Sequence, residues 1–306
     1  MLANRLGRGG TVGIVAPSSP VTPETEAQLE KGVAFLRGLG LEVVVGRNVR
    51  STSLGYCASP EEKAADINQF FADRSVAGII CAQGGATANA CLPHLSWPTI
   101  RANPKVFTGM SDNTVLLNAI HARTGLVTFH APDLMWGLGR EPSEYDCASF
   151  VGTLIEGRLG AVPANRERKT VRGGCCKGVA LGGNLRCLLK LAGTPYFPDM
   201  KGAVLFLEAV DVSSETCDFM LEQLRQMGVL GKAVGVVVGH INGLQDDTEA
   251  VRMEGVLERI TDGLALPILK TDDFGHDCAN AVVPIGAAVH MDADRLAIEF
   301  REPVVI

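Results

Sequence analysis

The sequence lacks a basic block. Its 28 Lys and Arg are outnumbered by 34 Asp and Glu, giving a formal charge of −6, so the electrostatic footprint of a nucleic-acid binder is missing. No apolar run approaches the length of a membrane span. The opening MLANRLGRGGTVGIVAPSS has two arginines and an apolar stretch of five residues, too short for a secretory core and better read as a first buried strand. A soluble, cytoplasmic protein is expected, with no nucleic acid and no membrane as partner. None of the nine cysteines is in C-x-x-C spacing. The odd count argues for reduced thiols, most of them small buried hydrophobes. H-E-x-x-H and clustered Cys/His are absent, as are G-x-x-x-x-G-K-[ST] and G-x-G-x-x-G, so no metal and no cofactor are expected. There is no internal repeat and no low-complexity segment.

What is present is an ordinary globular composition, 46% hydrophobic and 20% charged over 306 residues, long enough for two domains. Residues 11–16 form a β-rich run ending in Pro-Ser-Ser-Pro. Thr22 reads as an N-cap with Pro23 at the first helical position, followed by Leu29, Val33 and Leu36 at helical spacing. Ser59-Pro60-Glu61-Glu62 reads as a capping box. Strands are expected at 41–45, 76–81, 106–108 and 126–129, with helices between them. From Arg140 to Gly174 the pattern weakens, and ANRERKTVRGG looks like a linker. Beyond it come strands at 178–181, 203–208, 234–239 and 266–270, with helices after Asn184, near 216–227 and after Asp247. Short strands at 287–291 and 296–300 end the chain. Alternation of this kind implies parallel sheets covered by helices. The expected organisation is an N-terminal α/β domain over 1–160, a linker over 161–175 and a C-terminal α/β domain over 176–306.

In open parallel sheets, ligands bind beyond the carboxyl ends of the strands. Gly84-Gly85, Ser111, Glu208 and His276 all stand at such ends or in the loops after them. In FTGMSDNTVLL, Gly109 and Ser111 match the start of the nucleophile elbow G-x-S-x-G, but Asn113 replaces its last glycine. Asn tolerates left-handed conformations, so an elbow is possible. Ser111 as an ordinary helix N-cap is the commoner reading by spacing alone. Gly84-Gly85 offers backbone N–H groups for an anion nest or half an oxyanion hole, or is a plain turn. A serine nucleophile needs a base, and a histidine base needs an acid to hold its tautomer. Of six histidines, His276 in a Gly/Asp-flanked loop is favoured narrowly over His130. His240 also lies at a strand end, whereas His94, His121 and His290 read as surface or structural. Glu208, ending the apolar run AVLFL, needs a partner if buried; a structural ion pair and an orienting role both fit.

Together, these stretches resemble the LD-carboxypeptidase family of serine peptidases, which includes the microcin C immunity proteins. The similarity runs from GIVAPSSP at residue 13 to VVPIG at 286. It takes in GYCASPEEKAADIN, IICAQGG, FTGMSDNTVLL, TGLVTFHAP, GGNLRCLLKLAGTPYFPD, LFLEAVD and FGHDCAN. The resemblance implies a Ser111–Glu208–His276 triad without a metal. It also implies an oxyanion hole from the N–H of Asp112 and one from the Gly84-Gly85 loop, with Gly85 preferred. The fold implied is an N-terminal parallel-sheet domain flanked by helices plus a C-terminal α/β domain, in a homodimer. Asp112 is expected to cap the helix or hold the elbow.

Departures touch the substrate side: Gln83-Gly84-Gly85-Ala86-Thr87 stands where carboxypeptidases of the family carry Arg-Gly-Gly-Tyr-Gly, only Asn89 agrees with the immunity branch, and Ala131 replaces the glycine of His-Gly-Pro. The expected activity is hydrolysis of an L–D amide bond in cell-wall muropeptides. The close alternative is cleavage of peptidyl- or aminoacyl-nucleotide amides, with Trp136 a candidate for stacking on adenine. A binding protein that keeps the cleft without activity is the third.

Overall fold

The computed structural model describes residues 1–244 and 251–306. Five parallel strands open the chain: β1 (Thr11–Val15), β2 (Glu42–Val45), β3 (Val76–Cys81), β4 (Val106–Gly109) and β5 (Thr128–His130). The rest are β6 (Gly160–Ala161), β7 (Lys169–Arg172), β8 (Cys175–Asn184), β9 (Ala203–Ala209), β10 (Gly235–Ile241), β11 (Ile268–Lys270), β12 (Val283–Ile285), β13 (Ala288–Asp292) and β14 (Ala297–Phe300). They form two sheets, one ordered β12-β5-β4-β3-β1-β2 and the other β6-β14-β13-β8-β9-β10-β11-β7. The first sheet is parallel except for β12. The second has a parallel centre, β8 to β11, with antiparallel strands on both flanks.

The order in which strands join the first sheet reverses between β1 and β3, which themselves run parallel. Such a switch point splays the loops after the two strands and opens a crevice. Those loops are the Pro-Ser-Ser-Pro turn and Gln83-Gly84-Gly85, and β4 delivers Ser111 beside them. In the second sheet β9 lies between β8 and β10, and all seven of its residues are buried. A strand covered on both faces must be nearly all apolar, so the carboxylate of Glu208 is out of pattern in AVLFLEA.

Several elements depart from expectation. Thr22 does not cap the first helix, which starts at Glu26; a turn over Thr22–Thr25 comes first, closed by the Thr22 N–H on Thr25 Oγ1 at 2.9 Å. The Ser59 capping box is present with both reciprocal bonds. The expected linker at 161–175 holds β7 and the ends of β6 and β8, all in the second sheet. One of its charges is used internally: Arg168 is buried against Asp273 at 2.7 Å, and the N–H of Asn165 donates to the same carboxylate. The C-terminal part also returns β12 to the first sheet, beside β5. The return of β12 ties the two sheets together, and residues 169–172, inside the expected linker, form a strand paired with β11 rather than a spacer. Asp247, where a helix was expected to begin, lies outside the described residues; the helix described there is Met253–Ile260.

No helix among the described residues is long and apolar enough to cross a membrane.

Candidate active site

Ser111 follows β4 on a sharp turn. Its φ is +57°, one of five non-glycine residues in the left-handed region among those described. An L-residue is strained there, and such strain concentrates at functional positions. A single 3-10 turn, Ser111–Asn113, leads into the helix Thr114–Thr124, and the Ser111 side chain caps neither. The strained φ falls on Ser111 itself; Asn113 is ordinary right-handed helix at φ −67°. Asn113 instead ties the elbow to the neighbouring loop, where its Nδ2 donates to the Gln83 carbonyl at 3.0 Å. A Cβ on Gly109 would lie 2.6 Å from Asn113 Cβ, which explains the glycine two residues before Ser111.

Asp112 holds the elbow. It is fully buried, and its Oδ2 accepts from Ser18 Oγ at 2.6 Å and the Ala88 N–H at 2.8 Å. Its Oδ1 meets Lys190, which also donates to the Ala86 carbonyl. The carboxylate thus gathers the loops after β1, β3 and β4, and every acceptor position in use points away from proton transfer. Gly84 comes closest to Ser111: a Cβ built there would stand 2.7 Å from Ser111 Cβ and 2.8 Å from its Oγ. Gly85, at φ +143°, packs instead on the Ser18–Ser19 turn, where a Cβ would be 2.2 Å from Ser19 Oγ.

The acid and base come from the second sheet. Glu208 pairs in register with Asn184 on β8. The strand β8 is sewn to the Ser111 helix: Asn118 exchanges two bonds with Gly182, and the Asn184 N–H donates to Thr114 Oγ1 at 3.0 Å. Gly183 has no Cβ to hold Thr114 off; one would lie 2.6 Å from its hydroxyl. This suture brings the end of β9 beneath the elbow. The loop 272–280 closes over it. Phe274 is buried among Phe206 and His130. Gly275, at φ +134°, passes so near β9 that a Cβ would sit 3.3 Å from Glu208 Cβ. His276 then meets Glu208, Nδ1 to Oε2, at 2.7 Å.

Glu208 is wholly buried, so desolvation favours its neutral acid, but the hydrogen bond and charge of His276, with His130 and Asn184 nearby, outweigh that and hold it below the usual carboxylate range. Burial likewise disfavours the His276 imidazolium. Glu208 above all, then Asp133 and Asp277, overcomes this and raises the His276 pKa above its ordinary value. Glu208 on Nδ1 leaves Nε2 for a proton from elsewhere.

Ser111, Gly84, Gly85, His276 and Trp136 line one cavity of about 660 Å³ between the sheets. Ser111 Oγ has no hydrogen-bond partner among the described residues, and both it and His276 face this space. Trp136 sits in a tight turn, Leu134–Leu138, the residue 47% exposed and its ring N–H on Gln83 Oε1 at 2.8 Å. Sequence reasoning missed two wall residues. Asp133 caps that turn, and burial pushes its carboxyl up to about 6 against the N–H groups that bond it. Asp146 accepts from the Asn280 N–H at 2.7 Å and so anchors the His276 loop. Its signal was readable: Ser143 and Asp146 form a capping box.

The other histidines are elsewhere. His240 pairs with Asp272 at 3.1 Å, His94 with Glu61 at 3.5 Å, His121 with the Leu126 carbonyl, and His290 lies within β13. His130 is buried at the far side of Glu208 and does not line the cavity. No group of three or more possible metal ligands occurs among the described residues.

Comparison with known proteins agrees over nearly the whole chain. Residues 12–131 match the LD-carboxypeptidase N-terminal domain and residues 177–291 the LD-carboxypeptidase C-terminal domain. A probable murein peptide carboxypeptidase of Bacillus subtilis (strain 168) is 33% identical over 298 residues, 96% of this chain and 92% of the relative. The microcin C7 self-immunity protein MccF of Escherichia coli is 28% identical over 330 residues, 99% and 96% of the two chains. The structure of MccF in complex with aspartyl sulfamoyl adenosine superposes with a TM-score of 0.91 at 27% identity, covering 100% of both chains.

Proposed function

The chain belongs to the LD-carboxypeptidase family of serine peptidases, and from that premise we propose that Ser111, His276 and Glu208 are its catalytic triad. The supporting observation is the 2.7 Å bond from buried Glu208 to His276 in the cavity that also holds the strained Ser111. The substrate of this reading is a muropeptide with an L–D amide bond. Ser111 Oγ attacks the amide carbonyl while His276 Nε2 takes its proton. The tetrahedral intermediate collapses, His276 protonates the departing D-amine, and the acyl group remains on Ser111. Water, deprotonated by His276, then releases the acid and restores the serine.

The oxyanion is assigned to the N–H groups of Asp112 and Gly85. Asp112 is in the first turn after the elbow, where N–H groups lack helical partners. The Gly84 carbonyl is turned to the Ser19 N–H at 3.1 Å. In a trans peptide the following N–H points the opposite way, which directs that of Gly85 away from the serine turn. Gly84 serves by its small size. Gly84→Ala is expected to lower kcat roughly a hundred-fold, the cost of displacing a nucleophile by about 1 Å, in a variant that still folds by circular dichroism though it melts somewhat earlier. Wild-type kcat in that variant would mean the contact with Ser111 is incidental.

An aminoacyl-nucleotide substrate is the second reading, favoured by the exposed Trp136 ring at the cavity and by the likeness to MccF. A hydrolysis screen of L–D muropeptides against aminoacyl-nucleotide analogues, run with and without EDTA, separates the two. Release of a terminal D-amino acid, unaffected by EDTA, is expected. Turnover of the nucleotide analogues alone would transfer the assignment to the second reading.

A cytoplasmic location and a homodimer complete the proposal. The nine free thiols suit a reducing compartment, and the dimer rests on the family resemblance.

A further inference from the structure

His130 is the one histidine beside the proposed triad without a role. It is 1% exposed, at the end of β5, between Gly109 of β4 and Val283 of β12. The ring stands edge-on to Phe274, centroids 6.0 Å apart. On its other side a Cβ at Gly183 would come within 3.1 Å of Cδ2, so the glycine makes room for the ring. Both ring nitrogens lack a hydrogen-bond partner, and so does Oε1 of Glu208. Nε2 and Oε1 are 4.0 Å apart, about 1 Å beyond a hydrogen bond. Buried polar atoms are almost always satisfied, and here the orphans face one another. Oε2, the other oxygen of the same carboxylate, is the one that holds His276.

We propose that His130 is a positioning residue for the triad: as a neutral imidazole it donates from Nε2 to Oε1 of Glu208 when substrate closes the site, fixing the carboxylate with Oε2 on His276. This rests on the triad reading above. Neutrality follows from the surroundings, since burial outweighs the attraction of Glu208 and brings the His130 pKa down to about 4. The ring therefore keeps its single N–H through the working range. It also takes up part of the Glu208 charge, which otherwise acts mainly on His276.

The groups facing this string are few. His276 meets Glu208, Asp133 and Asp277. Glu208 meets His276, His130 and the amide of Asn184, and its charge reaches the thiols of Cys187 and Cys278. Those thiols are themselves pushed up by burial, to about 12 for Cys187 and further for Cys278, so they stay neutral.

Three variants test the inference through the pH profile. His130→Phe fills the space without a donor. It is expected to lower kcat roughly ten- to a hundred-fold, the worth of a hydrogen bond to a charged group, with KM little changed. The acidic limb of kcat/KM should move to higher pH, because an unshared Glu208 charge stabilises the imidazolium more. His130→Gln places an amide N–H where Nε2 stood and should restore both; His130→Asn, whose amide is too short, should not. A folded His130→Phe with the wild-type kcat and limb, or equal losses in the Phe and Gln variants, overturns the proposal. If Phe does not fold, the Gln and Asn pair decides by the same criteria.

A variant-free check is ¹⁵N NMR of the wild-type histidines at pH 7 with a serine-directed boronate bound. The expected signature is a neutral His130 protonated on Nε2. An Nδ1–H tautomer or an imidazolium would contradict it. Ser111→Ala, run alongside, separates the levels: full activity there ends the triad reading, whereas a dead Ser111→Ala with an indifferent His130→Phe ends only this one.

Discussion

Ser111→Ala is expected to lose about a million-fold in kcat, the scale set when a triad nucleophile is removed, while folding as the wild type does. The fold should survive because the Ser111 hydroxyl makes no hydrogen bond to a described residue and caps neither turn. Alanine is no more strained at φ +57° than serine is, and Asp112, Asn113 and Gly84 continue to shape the loop. What is lost is the oxygen proposed to carry the acyl group. Residual hydrolysis would come from the oxyanion N–H groups and binding alone. Circular dichroism and a thermal melt establish the fold, and single-turnover assays on an L–D muropeptide give the rate. Activity within about tenfold of wild type would remove Ser111 from the mechanism and revive the view of it as a local structural residue.

The second large effect belongs to Glu208. Glu208→Gln keeps the shape of the site but offers one amide group where two carboxylate oxygens stood. It is expected to cost at least about a hundred-fold in kcat/KM, and up to about ten-thousand-fold as when a protease triad loses its acid. The direction of the pH shift follows from the site. His276 must be neutral to accept a proton, so activity rises with pH through its pKa. In the wild type, Glu208, Asp133 and Asp277 raise that pKa against burial, so the acidic limb is expected above the ordinary histidine value of about 6.5. Without the Glu208 charge, burial remains and its strongest opponent is gone, so the limb should move to lower pH even as the plateau falls. His276→Ala should lose the limb along with the activity. An unchanged limb in Glu208→Gln would mean that another group sets it.

Much of this was legible in the sequence, for identifiable reasons. An apolar run that ends in a carboxylate is anomalous in a buried strand, which singled out Glu208. A glycine two residues before a serine at a strand end suggested the elbow, the Gly/Asp-flanked loop narrowly favoured His276, and the family resemblance joined all three in one proposed triad. Two inferences failed on geometry. Asn113 was a candidate for the left-handed residue, yet the strain is on Ser111 and Asn113 bonds Gln83. Thr22 and Pro23 had the chemistry of a helix start, but a turn intervenes because Thr25 bonds back to Thr22.

The charged stretch 161–175 read as a linker because a sequence shows charge and not its partner. Arg168 is buried on an Asp more than a hundred residues away, at Asp273. The return of β12 to the first sheet and the approach of His130 to Glu208 are likewise contacts between distant segments, invisible to local periodicity. The balance of burial against charge at His276 depends on Glu208 from β9 and Asp133 from a distant turn as well as on its own neighbour Asp277.

The central claim is that Ser111 forms a covalent acyl-enzyme with His276 as its base. Labelling with a fluorophosphonate probe, followed by intact-protein mass and peptide mapping, tests it most directly. One adduct per chain is expected, on Ser111, formed at neutral pH in the wild type and strongly slowed in His276→Ala. Absence of labelling, or an adduct mapped to any other serine, would contradict the account.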